Sequence, residues 1–524
     1  MLRCCFVLLL LGGLGGLLGF QERDPDPASL LQKRLEDVMR GPDYKHARWG
    51  LLVVDAQSGE QVYAENPDQL FVPASTTKLF SVAAALLDLG SDHVFVTPVR
   101  RQGEVNSAGE LHGNLILVAS GDPSLGGRTG KYGQIEFKDI DHTYANGNNE
   151  AELTEADPLA GLNELARQVA AAGIRRVRGD VLIDDRLFEV AQGTGSGPQR
   201  LTPIMVNDNL LDFVVTPTEA GKPAEVKIRP TTAGLTLDVM VETVEKGQAV
   251  TSRAEQVQPG RIVVRGQIPV GHKPLVRVVE VPDPVSFARS HFIGALERAG
   301  VRVDASPLAV QRPEALPSRG EVERLPEVAE LRSLPFKEHA KLILKVSHNL
   351  HAGTLPILLA TRQGGRSLPA GLRRQGAILE QLGLDIHSFS IGSGAGGSPG
   401  DQISPRAQVE LLKRMRVHPL AEPYREALPI LGVDGTLAKV VDADSPARGR
   451  VQAKTGTYLW QNGLSGRYVV TSKALAGYLT TASGRELIFG MMVNNTHIKQ
   501  SDETKREGRA LGRLCEILHD DRPR

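Results

Sequence analysis

Two periods of hydrophobic and polar positions run through this chain. Arg48-Trp49-Gly50-Leu51-Leu52-Val53-Val54-Asp55 is an almost unbroken apolar run of strand length. Residues 61–65 form a second strand candidate beyond a Ser58-Gly59 turn, so together they predict a hairpin. An apolar helical run over 79–89 follows, and residues 30–39 have helical periodicity before the hairpin. Residues 111–118 alternate like a strand and stop at Gly121-Asp122-Pro123; 161–172 predict a helix and 181–185 a strand. Between 226 and 281, Val226-Lys227-Ile228, Leu235 to Val239, Ile262 to Arg265 and Val276 to Val279 are short strand runs divided by Gly and Pro. Residues 285–298 return to helix. The segment around Pro313, Pro317 and Pro326 is loop, and a helix is expected over 338–359. Strands close the pattern at 474–481 and 486–493. The polar, Gly/Asn-rich stretch 131–152 predicts an exposed loop.

The last two strands have the character of partners for the early hairpin. That predicts a discontinuous domain built from 28–91 and 320–524, an α/β arrangement with an antiparallel sheet flanked by helices. Residues 92–319 are then an insertion of two nested domains, the β-rich part at about 215–283. At 524 residues, 41% hydrophobic and 23% charged, the composition is globular. Lys plus Arg equal Asp plus Glu at 61 each, so no global field favours nucleic acid or an acidic membrane. Met1-Leu2-Arg3, an apolar stretch from Phe6 to Phe20 and polar Gln21-Glu22 predict an export signal over 1–21; the alternative is a retained anchor giving peripheral membrane association. Removal of that segment, with Cys4 and Cys5, leaves Cys515 alone and no internal disulfide, with Cys515 read as a packed residue on a C-terminal helix.

Three short motifs carry chemistry. Ser75-Thr76-Thr77-Lys78 opens the apolar helical run, and positions i and i+3 share a helix face. A desolvated, neutral lysine amine beside a serine hydroxyl can take its proton and make it a nucleophile. About one Ser-x-x-Lys match is expected by chance in a chain this long, and a helix cap with a solvated lysine is the competing interpretation. Ser347-His348-Asn349 lies in the 338–359 stretch, where two polar residues on a helix are ordinary and His348 reads as structural or solvent-facing. Lys454-Thr455-Gly456-Thr457 follows Val451-Gln452-Ala453 as an edge strand. One ammonium and two hydroxyls there suit a carboxylate, and Gly456 admits a close backbone.

The conjunction, in this order and spacing, resembles the D-alanyl-D-alanine carboxypeptidase/endopeptidase family of low-molecular-mass class C penicillin-binding proteins. The resemblance runs from about Leu30 to Leu518. It includes Leu111 to Leu115 through Gly121-Asp122-Pro123-Ser124-Leu125, Asn207-Asp208-Asn209, Ser404-Pro405-Arg406, Gly432 to Leu437 and Ala476 to Thr481. It implies a transpeptidase/β-lactamase-like domain carrying inserted domains. By resemblance, Ser75 attacks the D-Ala-D-Ala bond, Lys78 is the general base, Ser347 relays the proton and Asn349 holds a substrate amide. Lys454, Thr455 and Thr457 bind the terminal carboxylate, and the N–H groups of Ser75 and Thr457 form the oxyanion hole. The expected partners are peptidoglycan stem peptides, with β-lactams as covalent inhibitors; no cofactor and no metal is implied.

Two departures accompany the match. His348 stands where the family commonly has Asp, and a family Asp-Gly-Ser-Gly-Leu-Ser-Arg stretch appears here as Ile391-Gly392-Ser393-Gly394-Ala395-Gly396-Gly397. Ser393 is placed with Thr455, Gly456 and Thr457 in the substrate-binding set. An exported peptidase is the leading expectation. The competing readings are a binding protein that has lost turnover and a β-lactamase.

Overall fold

The computed structural model describes residues 27–521; the expected export segment lies outside them. An antiparallel sheet runs in the order Val451–Gln461, Tyr468–Thr480, Glu486–Asn494, Arg48–Asp55, Gln61–Glu65, with Thr496–Ile498 beside Tyr468–Thr480. The closing strands thus pair with the early hairpin, Trp49 opposite Val493 and Leu51 opposite Met491. Arg48–Asp55 reads as a continuous apolar run because both of its faces are covered. Leu52 and Val54 join a core with Lys78–Leu89, Phe336–Lys345, Asn349–Thr361 and Pro405–Arg416. Leu51 and Val53 join another with Pro27–Met39 and Thr504–His519. Cys515 is buried in that second core, where burial raises its thiol pKa.

The inserted region has a second six-stranded sheet. Its main path is Arg302–Val303, Arg176–Val177, Glu110–Val118, Val96–Val105, Glu327–Arg332, with Val181–Asp184 paired to Glu110–Val118. Helices Ala160–Ala171 and Pro284–Arg298 pack on it. Two three-stranded sheets form the β-rich part, one centred on Leu210–Thr216 and one on Arg261–Pro269. Because Glu327–Arg332 pairs with Val96–Val105, the sheet of the insertion continues past residue 320, where the sequence placed the return.

Two local expectations change. The helix expected over 338–359 is two helices, Phe336–Lys345 and Asn349–Thr361, and Ser347 between them has φ 63°. The stretch 131–152, expected to be exposed, buries Asp141, His142, Thr143 and Ala145. Asp141, His142 and Thr143 are partnered rather than solvated. Among the described residues no helix is long and apolar enough to cross a membrane.

Candidate active site

Ser75 lies in a single tight turn, Ala74–Thr77, immediately before Lys78–Leu89. Ala74 has φ 47°, a conformation that costs a non-glycine residue about 1 kcal/mol or more and tends to persist where function requires it. Thr76 Oγ1 donates to the Pro73 carbonyl (2.7 Å) and receives Gln408 Nε2 (2.7 Å), which clamps the turn from both sides. A β-carbon on Gly456 would sit 2.7 Å from the Pro73 carbonyl oxygen, and one on Gly396 (φ 89°) would sit 1.9 Å from that of Ala74. Gly456 therefore admits the turn that carries Ser75, where a substrate backbone had been expected.

Lys78 is fully buried, with Nζ 2.8 Å from Ser75 Oγ, 2.7 Å from Asn349 Oδ1 and 2.7 Å from the Ala395 carbonyl. Burial lowers its pKa to about 7, against the charge of Asp401. A neutral amine has two N–H bonds and one lone pair. Asn349 Oδ1 and the Ala395 carbonyl take the two hydrogens, and the lone pair is left for the Ser75 hydroxyl.

Asn349 also donates through Nδ2 to the Ser196 carbonyl (3.0 Å). Ser347, at φ 63°, has its carbonyl held by Tyr144 Oη (2.6 Å). On the sheet side, Lys454 is fully buried and donates to the Thr455 carbonyl (2.8 Å); burial, then the nearby Lys78, hold its pKa far below the usual lysine range. Thr455 Oγ1 donates to Thr436 Oγ1 (2.8 Å), and Lys473, across the strand pair from Thr457, donates to Thr457 Oγ1 (2.9 Å). Ser75, Tyr144, Ser347, Thr455, Thr457 and Lys473 line one cavity of 530 Å³.

The structure thus brings together Ser75, Lys78, Ser347, Asn349, Lys454, Thr455, Gly456 and Thr457. Ser393 is placed differently. It is buried away from that cavity, its hydroxyl donating to Asp401 Oδ2 (3.0 Å) and accepting the amide of Gly396 (3.0 Å). Its geometry is that of a loop organiser rather than of a substrate contact. Two residues escaped the sequence reading. Asp401 accepts the Gly392 and Ser398 amides (2.7 and 2.8 Å) and so shapes the loop that presents the Ala395 carbonyl to Lys78. An Asp within a Gly/Ser run is a turn-forming signal that was available. Lys473 adds a cation beside Thr457; burial lowers its pKa to about 8, opposed by Glu507. Nothing short of the strand register connects Lys473 to the site.

Behind Ser347 lies a buried cluster. Arg128 pairs with Asp141 (2.6 Å) and Asp208 (2.5 Å), and His142 bridges Asp208 (2.9 Å) and Asp212 (2.6 Å). Burial disfavours the charge on His142, yet Asp212 and Asp141 outweigh it and raise its pKa to about 10. Asp208, His348 and His351 bring three ligand-type atoms within 4.8 Å of one another. The His351 amide donates to His348 Nδ1 (3.4 Å), and His348 Nε2 faces Asp208. Among the described residues His348 Nε2 has no hydrogen-bond partner, and it lies 3.4 Å from Asp208 Oδ1. His348 is buried, in keeping with the structural half of the expectation.

Residues 31–514 match the D-Ala-D-Ala carboxypeptidase 3 (S13) family. The chain belongs to that family. This carboxypeptidase-family chain is 29% identical over 495 residues to a D-alanyl-D-alanine carboxypeptidase of Actinomadura sp., covering 89% of this chain and 81% of that one. Its fold matches that of penicillin binding protein 4 from Haemophilus influenzae, with TM-score 0.65, 20% identity, and 93% and 99% of the two chains covered. A structure of the Haemophilus protein complexed with a β-lactam matches with TM-score 0.63 at 19% identity, covering 91% and 98%. Membership makes this a serine-type D-Ala-D-Ala carboxypeptidase, on a transpeptidase-like fold.

Proposed function

We propose that Ser75 is the nucleophile of this peptidase, acting on peptidoglycan stem peptides that end in D-Ala-D-Ala, outside the cytoplasm. The observation that carries the assignment is the set of three contacts around buried Lys78, which aims its lone pair at Ser75 Oγ. Lys78 takes the hydroxyl proton as Ser75 Oγ adds to the penultimate D-Ala carbonyl. The backbone N–H groups of Ser75 and Thr457 hold the oxyanion. The C–N bond breaks, the departing D-Ala amine receives its proton through Ser347 Oγ, and water then hydrolyses the ester.

Asn349 performs two tasks in this scheme, orienting Lys78 and holding a substrate amide. Thr455, Thr457 and Lys473 receive the terminal carboxylate, with Lys454 beneath them. In the free enzyme burial disfavours charge on Lys454, and an arriving carboxylate supplies the counter-charge. β-Lactams acylate the same oxygen.

The test is incubation of the chain lacking residues 1–21 with a labelled β-lactam, alongside Ser75→Ala, followed by D-Ala release from a D-Ala-D-Ala peptide. Label and release on wild type alone support the assignment. No label on either protein would favour a binding role, and release of the label within seconds would favour a β-lactamase.

A further inference from the structure

Each residue of the Ser347-His348-Asn349 turn faces a different part of the inserted region, and Ser347 and Asn349 are hydrogen-bonded to it. Tyr144 Oη donates to the Ser347 carbonyl (2.6 Å), Asp208 Oδ1 faces His348 Nε2 at 3.4 Å, and Asn349 Nδ2 donates to the Ser196 carbonyl (3.0 Å). The turn does not secure its own shape, because Ser347 is in the left-handed region without being glycine. Asp208 is the most firmly fixed of the three anchors. It is buried, and it sits at φ 53° between Asn207 at φ 50° and Asn209 at φ 56°. Its Oδ2 receives Arg128 (2.5 Å) and His142 (2.9 Å), while Oδ1 accepts His351 Nε2 (2.7 Å). His351 stacks on His348 with ring centroids 3.8 Å apart, so one carboxylate oxygen addresses both rings at the start of the helix that carries Asn349.

We propose that Asp208 is a positioning residue for acylation. Through His351, which donates to it and stacks on His348, it fixes the first turn of Asn349–Thr361, and with it the placement of Ser347 and Asn349 relative to Lys78. The inserted region then builds the active site from behind, in addition to lining its cavity with Tyr144. The inference rests on Ser75 and Lys78 acting as proposed, and the comparison below separates the two. A wild-type chain that β-lactams do not label would sink the assignment of Ser75, whereas the role of Asp208 is decided between variants of a chain that does react.

Asp212 supplies the control. It carries the same charge in the same cluster, but its contacts are His142 Nδ1 (2.6 Å) and Asn207 Nδ2 (3.0 Å), neither of them in the turn. The full chain and its Asp208→Asn and Asp212→Asn variants are compared by pre-steady-state β-lactam acylation, normalised to the folded fraction from near-UV circular dichroism. Asp208→Asn is expected to lower the limiting acylation rate constant by about tenfold or more, with the half-saturating concentration changed less than about twofold. Asp212→Asn is expected to stay within about threefold of wild type. Equal losses in both variants, or a loss in Asp208→Asn confined to half-saturation or to folded fraction, would overturn the proposal. Should Asp208→Asn not fold, His351→Gln against His351→Leu decides it. The amide keeps a donor within reach of Asp208 and retains the rate; equal rates for Gln and Leu would refute the role.

Discussion

The α-carbon of Gly456 rests against the carbonyl oxygen of Pro73 so closely that a β-carbon would lie 2.7 Å from it. The strand carrying Lys454 and the turn carrying Ser75 are thereby locked at one spacing. Gly456→Ala must push the two apart. A displacement approaching 1 Å at a reacting group costs about 100-fold in rate, so β-lactam acylation should fall by that order. Stopped-flow acylation of a folded Gly456→Ala protein at wild-type speed would show that the spacing is not limiting.

Lys78, with its pKa lowered to about 7 by burial, sets the acid side of the rate profile. With the neutral amine as the proposed base, the acylation rate constant rises with pH, is half-maximal near the value of about 7 and levels above it. Below that point it drops by roughly tenfold per pH unit. Asp401 opposes the shift, so Asp401→Asn should move the midpoint to lower pH. Measuring the rate constant across the neutral range in both proteins checks the sign, and a flat wild-type profile would rule out Lys78 as the titrating base.

Lys473 tests the carboxylate site. A charge-assisted hydrogen bond is worth about 1.5–3 kcal/mol, so Lys473→Met should raise KM for a peptide with a free terminal carboxylate by roughly 10- to 100-fold. The same peptide with a C-terminal amide should be cleaved poorly by both proteins and show little difference between them. A Lys473→Met enzyme with unchanged KM for the free acid would remove Lys473 from recognition.

Ser347→Gly separates stability from function at one atom. Glycine relieves the φ 63° conformation, a gain of roughly 1 kcal/mol, while deleting the hydroxyl proposed to relay the proton. The thermal midpoint should hold or rise, and acylation should fall by about 100-fold or more. Differential scanning calorimetry with β-lactam labelling reads both; a variant that is less stable yet equally fast would contradict both halves.

The sequence made the sheet and the nucleophile helix legible because their patterns are local. The 48–55 run is apolar at almost every position since both faces are covered, and the strands at Tyr468–Thr480 and Glu486–Asn494 share that origin. Ser75, Lys78 and Lys454 to Thr457 were legible as contiguous motifs. The break at Ser347 was not. The apolar pattern continues through it, and the partner that holds the Ser347 carbonyl, Tyr144, lies 203 residues earlier. Residues 131–152 misled for a related reason. Asp141 and His142 are polar because Arg128, Asp208 and Asp212 await them, and composition alone does not distinguish a partnered polar residue from a solvated one. Lys473 is invisible until strand register sets it opposite Thr457.

The pairing of Arg48–Asp55 with Glu486–Asn494 has a consequence for when, during synthesis, the site can assemble. Roughly 400 residues separate Ser75 from the last strand that completes its sheet, and at 5–20 residues per second a ribosome needs about 20–80 s to cover them. Throughout that interval the chain holds its serine and lysine without the closed sheet that flanks them. The topology is a clock: the sheet beside Ser75 closes only with the carboxy-terminal strands.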